Sequence, residues 1–584
     1  MPAEPFPRTR SLDLSPPEAA GLAPVSDEIA RADGANALVV DASLLTDAPP
    51  PAPVHSKPPP PPAGTPNTLP RVAWAELSRA RIGDEACLDE DENRAGGAVP
   101  VRCPSSPFAL ADALASASQA ARRGEAVLLD GLDRWYRLGH AAAGHCAQCN
   151  RALNEAIQKS YGPQIESFDV LSVQGASGLP WRERPYAGVR ESQRLEAPLQ
   201  FAKAAILRAR DEARAQRGGL ELPVLARVGT LSALSLLLGR HLDGLVFALP
   251  SLEPLEALFP LLAARAALGD RQVVAQLPPA ARPDQVKLFA GLATACGCDL
   301  MLQPGASPES RAALTSHRRY AAGLRERYRA PEPLSDIDLV VAPRAEHWSQ
   351  GKHLRASALV AAALQRAQLQ AGVALHAPRA QPGGPRLIAL CGATDLPDSL
   401  ALPLRRHVEQ GGDLLLVGPC HRLDDEGRLL GPLFPEVKDN KEALERVAEG
   451  RVYQLPVGPD GQLSASALEP LLLKALRELL GRSPRALSMQ GRGVLLARAY
   501  LDPERKLDVH LVNLALREGQ GFAAAQGVLL QIAGAAAGAG RTGYWFTPER
   551  PGKDGERITL NPSGFSVSTV LPSVGACALL SVPR

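Results

Sequence analysis

The stretch LPVLARVGTLSALSLLLGRHLDGLVFALPSLEPLEALFPLLAARAALGDRQVVAQLP, Leu222 to Pro278, holds three short apolar runs, at 222–228, 243–250 and 271–278. Each run is bounded by turn residues and lacks the apolar–polar alternation of a half-exposed strand. Such runs read as parallel strands buried on both faces. Between the last two lies EPLEALFPLLAARAALGD, a helical pattern that closes on glycine, the usual C-terminal cap. Strand, helix and strand in this order make a βα rhythm.

The rhythm extends in both directions. RTRSLDLS near the start, ALVVDAS (37–43), PRVAWAEL (70–77), EAVLLDG (125–131) and CDLMLQPG (298–305) read as further strands. ALADALASASQAARRG, LQFAKAAILRARDEARAQRGG and DQVKLFAGLATACG read as helices between them. About eight strand–helix units result, the size and period of a (β/α)8 TIM-like barrel over 1–333. An open doubly wound sheet is the alternative, but no Gly-rich phosphate fingerprint follows any strand. The proline cluster APPPAPVHSKPPPPPAGTP (48–66) reads as a surface loop of that barrel.

Beyond 333 the pattern restarts. DIDLVVAP, PRLIALCG, DLLLVGP and the helical runs between them predict a smaller α/β domain over 334–484. GVLLARAYL, KLDVHLVNLAL, GVLLQIAG, RITLNPS and CALLSVP then predict a C-terminal β-sandwich over 485–584.

A chain of 584 residues is too long for one core, which agrees with several domains. A net charge of +2 without a long basic run argues against a nucleic-acid partner. No window reaches the roughly 18 apolar residues of a membrane helix, and the N-terminus lacks a signal pattern. A cytoplasmic protein is therefore expected. Nine scattered cysteines, an odd number, do not read as a disulfide framework.

The candidate chemistry centres on VLLDGLDRWYRLGHAAAGHCAQC, Val127 to Cys149. Asp130 falls just past a strand, on the face where such barrels build their sites. Asp133 follows it, and Trp135 and Tyr136 offer flat apolar faces of the kind sugars stack on. Cys146 and Cys149 could chelate zinc with His140 and His145, or form a redox pair. No second ligand pair follows, and His145 adjoins Cys146, so the reading taken is that both cysteines pack at a helix start, with no metal and no cofactor.

In the order of its parts the chain resembles the family-42 β-galactosidases. IARADGANALVVDAS looks like the helix and second strand of their barrel, and AVLLDGLDRWY like the strand that ends in an acid. HCAQCNRALNEAIQKSYG is similar to their C-x-x-C, helix and Tyr-Gly segment. LPLRRHVEQGGDLLLVGP looks like their amidotransferase-like trimerisation domain, and VHLVNL like the terminal sandwich. The resemblance implies a carbohydrate ligand and a homo-oligomer formed through 334–484. Some members of the family hold a zinc ion through cysteines near the barrel mouth, and this segment shows two.

Glycoside cleavage needs two carboxyl groups. The resemblance implies an acid/base Glu after the fourth strand and a nucleophile Glu after the seventh. Here the fourth strand ends in Asp130 and Asp133, whereas the seventh ends in Gln276, with no acid until Asp284. Glu253, after the sixth strand, is the alternative partner, a layout that resembles the retaining α-galactosidase-type barrels. In that reading Asp130 attacks the anomeric carbon and Glu253 protonates the leaving oxygen. Glu76 and Asp41, at earlier strand ends, are further candidates. The rival reading is an inactive barrel used for sugar binding or assembly, favoured by the missing acid and by an aromatic content of only 4%. Cys420 beside His421 suggests an amidotransferase nucleophile, but lacks the flanking glycines of that elbow. CLDEDENRAGG (87–97) lacks the spacing of a calcium loop.

Overall fold

The computed structural model describes residues 38–41, 71–77, 101–137, 146–163, 186–216, 219 and 221–324. From 332 to 583 it describes all but 377–386, 425–428, 438–440, 458–464, 482–484, 502–505, 518–520, 534–540, 551–554 and three single positions. The predicted first strand RTRSLDLS and the proline-rich loop 48–66 lie outside the described residues. Two compact units form, Met1–Ala248 with Asp424–Arg428, and Leu249–Leu423 with Leu429–Arg584.

In the first unit, strands β1 (Leu38–Asp41), β2 (Arg71–Glu76), β3 (Ala126–Asp130), β4 (Val224–Val228) and β5 (Gly244–Ala248) pair in parallel, in sequence order. Helices α1 (Pro107–Arg123), α2 (Arg134–Arg137), α3 (Ala147–Tyr161), α4 (Ala187–Gln216) and α5 (Ala233–Leu238) connect them. α1 starts where Ser106 accepts the Ala109 N–H and Pro107 takes the first turn. The period-2 alternation of strands separates two faces. Ala73, Ala75, Val127, Leu129, Val224 and Ala226 share one face and are buried. A Cβ on Gly124, just past α1, would meet the Ala73 Cβ at 2.6 Å, so the end of the helix lies directly on this face. The other face carries Trp74, Leu128, Asp130, Leu225 and Arg227.

The second unit opens with α6 (Pro254–Leu268), β6 (Gln272–Leu277), α7 (Pro283–Ala295), β7 (Asp299–Leu302) and α8 (Pro308–Gly323), with β6 and β7 parallel. Next comes a six-stranded sheet whose spatial order is Ala371–Leu375, Ile337–Val341, Leu387–Cys391, Asp413–Val417, Gly450–Leu455 and Ala443–Val447. Five of its strands are parallel and the last is an antiparallel edge. Helices α9 (Pro343–Trp348), α10 (Lys352–Arg366), α11 (Asp398–Glu409) and α12 (Ala465–Leu480) accompany this sheet. Two antiparallel sheets, of four and six strands, finish the chain and share one apolar core that includes Leu487, Leu530 and Val567 from one and Ala497, Val509 and Leu580 from the other. Glu332–Pro333 pairs with Leu501 and Tyr500 in the larger of these sheets.

Buried hydrogen bonds tie these parts of the second unit together. Tyr500 Oη donates to the Ala295 carbonyl at 2.6 Å, at the end of α7. Two residues earlier on the same strand, Arg498 Nη1 donates to the Ala371 carbonyl at 2.5 Å. Gln370 Nε2 answers on the Ala497 carbonyl at 3.0 Å. Asp336 accepts the N–H groups of Gln370 and Ala486, at 2.7 and 2.9 Å. Among the described residues no helix is long and apolar enough to cross a membrane.

Candidate functional site

Strand register brings the site together. Asp130, the last residue of β3, lies opposite Glu76 of β2 and Arg227 of β4. Its Oδ2 accepts the Trp74 indole N–H at 3.1 Å and pairs with Arg227 Nη1 at 3.2 Å. Side-chain exposure of 16% for Asp130 and 26% for Arg227 leaves both reachable from solvent. Trp74 and Arg227 were not singled out in the sequence. Their signal was a bulky or charged residue near the C-terminal end of an otherwise apolar strand. Glu76 and Asp41 end β2 and β1. Their side chains lie outside the described part.

Asp133 takes a different role from Asp130. It is buried, 1% exposed, and its Oδ2 accepts the Gly229 N–H at 3.0 Å. It therefore fastens the turn before α2 to the residue that follows β4.

Trp135 is not an open stacking platform. It is 5% exposed and packs with Val101, Cys103, Cys146 and Cys149, with Tyr136 against the same cluster. The Arg194 guanidinium lies 5.5 Å from the centre of its ring. An aromatic pair placed after an acid is here the cover of an apolar pocket.

That pocket holds three thiols. Cys146 is the N-cap of α3 and Cys149 lies in its first turn, so the C-x-x-C spacing puts both sulfurs at the positive end of a helix. Cys103, which the sequence reading left out, completes the group. Its Sγ is 3.3 Å from each of the other two, and the three sulfurs lie within 4.8 Å of one another. Burial beside apolar residues agrees with the packing expected of the pair. The third thiol adds what packing does not require, a convergent set of soft donors. Tetrahedral zinc places its sulfurs about 3.8 Å apart, and the donor set fits such an ion. His140 and His145 lie outside the described residues.

Glu253 belongs to the second unit, whereas Asp130 belongs to the first. It is the exposed N-cap of α6, with no side-chain capping bond, and its N–H donates to Ser251 Oγ at 3.0 Å. Gln276, within β6, is 2% exposed. Cys420 is buried and is followed by the strand His421–Leu423, where an amidotransferase elbow would have a helix.

No protein-family model matches the chain, and no curated protein does. Solved structures do. A β-galactosidase from Bacillus circulans sp. alkalophilus aligns with a TM-score of 0.62 at 11% identity, over 95% of this chain and 96% of its own. Gan42B, a GH42 β-galactosidase from G. stearothermophilus, aligns with a TM-score of 0.65 at 10% identity, over 95% of each chain. An α-L-fucosidase, isoenzyme 2 from Paenibacillus thiaminolyticus, aligns with a TM-score of 0.60 at 14% identity, over 88% of each. The mixed α/β chain therefore has the fold of the GH42 β-galactosidases, TIM-barrel enzymes, at identities that leave its chemistry to its own residues.

Proposed function

We propose that this chain binds a carbohydrate at the strand ends around Asp130, on a glycosidase fold that does not cleave it. The observation that carries the reading is the commitment of Asp130 Oδ2 to Arg227 and Trp74. A planar guanidinium beside a carboxylate offers paired donors and acceptors to neighbouring sugar hydroxyls, and an indole adds an apolar edge. A retaining mechanism needs a second carboxyl group about 5 to 5.5 Å from the first. Asp133 is turned onto backbone, and β6 carries Gln276 in the strand where the resemblance implies the nucleophile. Both support binding without hydrolysis. Residues 1–333 form the sugar-binding barrel in this reading, 334–484 an amidotransferase-like association domain, and 485–584 a sandwich.

The expected result is saturable binding of a galactose- or fucose-containing oligosaccharide by calorimetry, weakened at least tenfold in Trp74→Ala and Arg227→Ala. A panel of nitrophenyl glycosides is expected to give no turnover. Turnover that disappears in both Asp130→Asn and Glu253→Gln would instead establish the retaining enzyme with Asp130 as nucleophile and Glu253 as acid.

We also propose that Cys103, Cys146 and Cys149 hold a zinc ion. Bound zinc supplies a crosslink between the 101–103 segment and the start of α3 rather than a reaction step. Elemental analysis of protein made with zinc present is expected to find one ion per chain, lost in Cys103→Ser. Zinc-free wild-type protein under those conditions would rule this out.

A further inference from the structure

Three cysteine sulfurs meet where the turn before α1 touches the start of α3. Cys103 Sγ lies 3.3 Å from Cys149 Sγ and 3.3 Å from Cys146 Sγ, across 46 and 43 residues of chain. All three are reduced and buried. Both sides of the contact are anchored. Arg102, next to Cys103, pairs with Asp112 of α1 and reaches the Leu77 carbonyl at 3.5 Å. The Cys103 carbonyl accepts the Ser106 N–H at 3.1 Å, which fixes the turn into α1. Cys146 and Cys149 are carried by the N-cap and first turn of α3.

Sulfurs in contact have a chemistry that isolated buried thiols lack. Once an oxidant has added oxygen to one of them, a neighbour captures it as a disulfide before oxidation runs further. To bond, sulfurs 3.3 Å apart need to approach by only about 1.3 Å. The pocket is also closed unevenly. Cys103 is 0% exposed, whereas Cys146 and Cys149 keep 7% and 8%. The Cys149 sulfur further faces the hydroxyl of the half-buried Ser105 at 4.0 Å. A small oxidant therefore meets Cys149 or Cys146 first, and Cys103 stands behind them as the resolving thiol.

We infer that the three thiols form a redox-active site for a small hydroperoxide, with Cys103 as the shared partner in a reversible disulfide to Cys149 or Cys146. With hydrogen peroxide, the outer thiol attacks one peroxide oxygen. An S–O bond forms, the O–O bond breaks, and the thiol hydrogen leaves with the other oxygen as water. The sulfur is oxidised to a sulfenic acid and the peroxide is reduced. The Cys103 sulfur then attacks the oxidised sulfur. The S–S bond forms, the S–O bond breaks, and the hydroxyl leaves with the Cys103 hydrogen as a second water. The inference rests on the three thiols forming one site, as the zinc proposal does, but not on zinc being bound. The disulfide leaves a single thiol, too few to retain zinc. Neither step depends on the carbohydrate reading.

The test treats the full chain, freed of reductant and of metal by a chelator, with a small excess of hydrogen peroxide, then alkylates and digests it. Mass spectrometry is expected to find the tryptic peptide of Cys103 joined to the one that carries Cys146 and Cys149, and to lose the link after dithiothreitol. Cys391, equally buried, is expected to be recovered as a thiol. Cys103→Ser is expected to form no link and to accumulate sulfinic acid at Cys149 or Cys146. Recovery of all three thiols in the wild type, a disulfide between Cys146 and Cys149 in place of the Cys103 link, or equal oxidation of Cys391 would each overturn the proposal. Zinc counted in the same preparation before chelation keeps the two proposals apart. Zinc-free protein that forms the link supports this one and ends the other, whereas zinc-bearing protein that forms none overturns this one alone. Should Cys103→Ser fail to fold, the wild-type disulfide map decides.

Discussion

At pH 8 the variant Glu346→Gln is expected to be more stable than the wild type by about 3 kcal/mol, a gain that shrinks below about 1 kcal/mol at pH 5. Glu346 lies in α9, 7% exposed, and its Oε2 accepts the Leu354 N–H at 2.7 Å in the first turn of α10. Burial pushes this carboxyl up to about 7, against the pull of the Leu354 N–H, of Arg355 and of the His353 N–H. The folded state thus holds the proton more tightly than the unfolded chain, where the group titrates at 4.5. The corresponding stability is fully present below pH 4.5 and is lost as pH rises toward 7, at about 1.4 kcal/mol per unit. Glutamine keeps an acceptor for Leu354 and discards the charge, so it removes the slope. Denaturant titrations of both proteins at pH 5 and pH 8 check this. A difference that does not change with pH would show that Glu346 is not the source.

Gly291→Ala is expected to destabilise the protein by about 1–3 kcal/mol, the usual cost of overpacking. In most helix interiors the same change gains about 1 kcal/mol, because alanine is the better helix former. Here an added Cβ would sit 2.7 Å from the Cys577 Cβ and 3.2 Å from its sulfur. Both carbons are fixed to backbone, so neither can rotate away, and the clash outweighs the propensity. His317, with Nδ1 4.0 Å from the Cys577 sulfur and Nε2 2.8 Å from Thr294 Oγ1, leaves little space to relax into. Adding Cys577→Gly should recover much of the loss in thermal melts. A neutral or stabilising single substitution would mean that α7 stands farther from the C-terminal sheet.

What could be read in the sequence follows burial. β1 to β7 all fall inside apolar runs identified beforehand, because a parallel strand buried on both faces writes its environment continuously along the chain. The site was legible only in part, because it is assembled across strands. Asp130 could be found at a strand end, but its partners Trp74 and Arg227 lie 56 and 97 residues away and meet it only through register. Cys103 belongs with Cys146 and Cys149 in space while VRCPSSP shows no ligand spacing. Trp135 misled for the same reason. Whether an aromatic ring faces water or a thiol pocket depends on what a distant segment lays over it. The amidotransferase elbow could be dismissed locally, since its glycines are missing around Cys420, and a strand follows there.

The close approach of Gly291 to Cys577 also sets a timetable. The ribosome delivers α7 long before the strand Cys577–Val582 that covers it. At about 5–20 residues per second, roughly 300 residues of further synthesis take on the order of 15–60 seconds. Until the strand is made, the surface of α7 that ends up against Cys577 waits without that cover, although Val512, which also lies near Gly291, is made earlier. The contact of α7 with Cys577 therefore forms only after the strand Cys577–Val582 has been made.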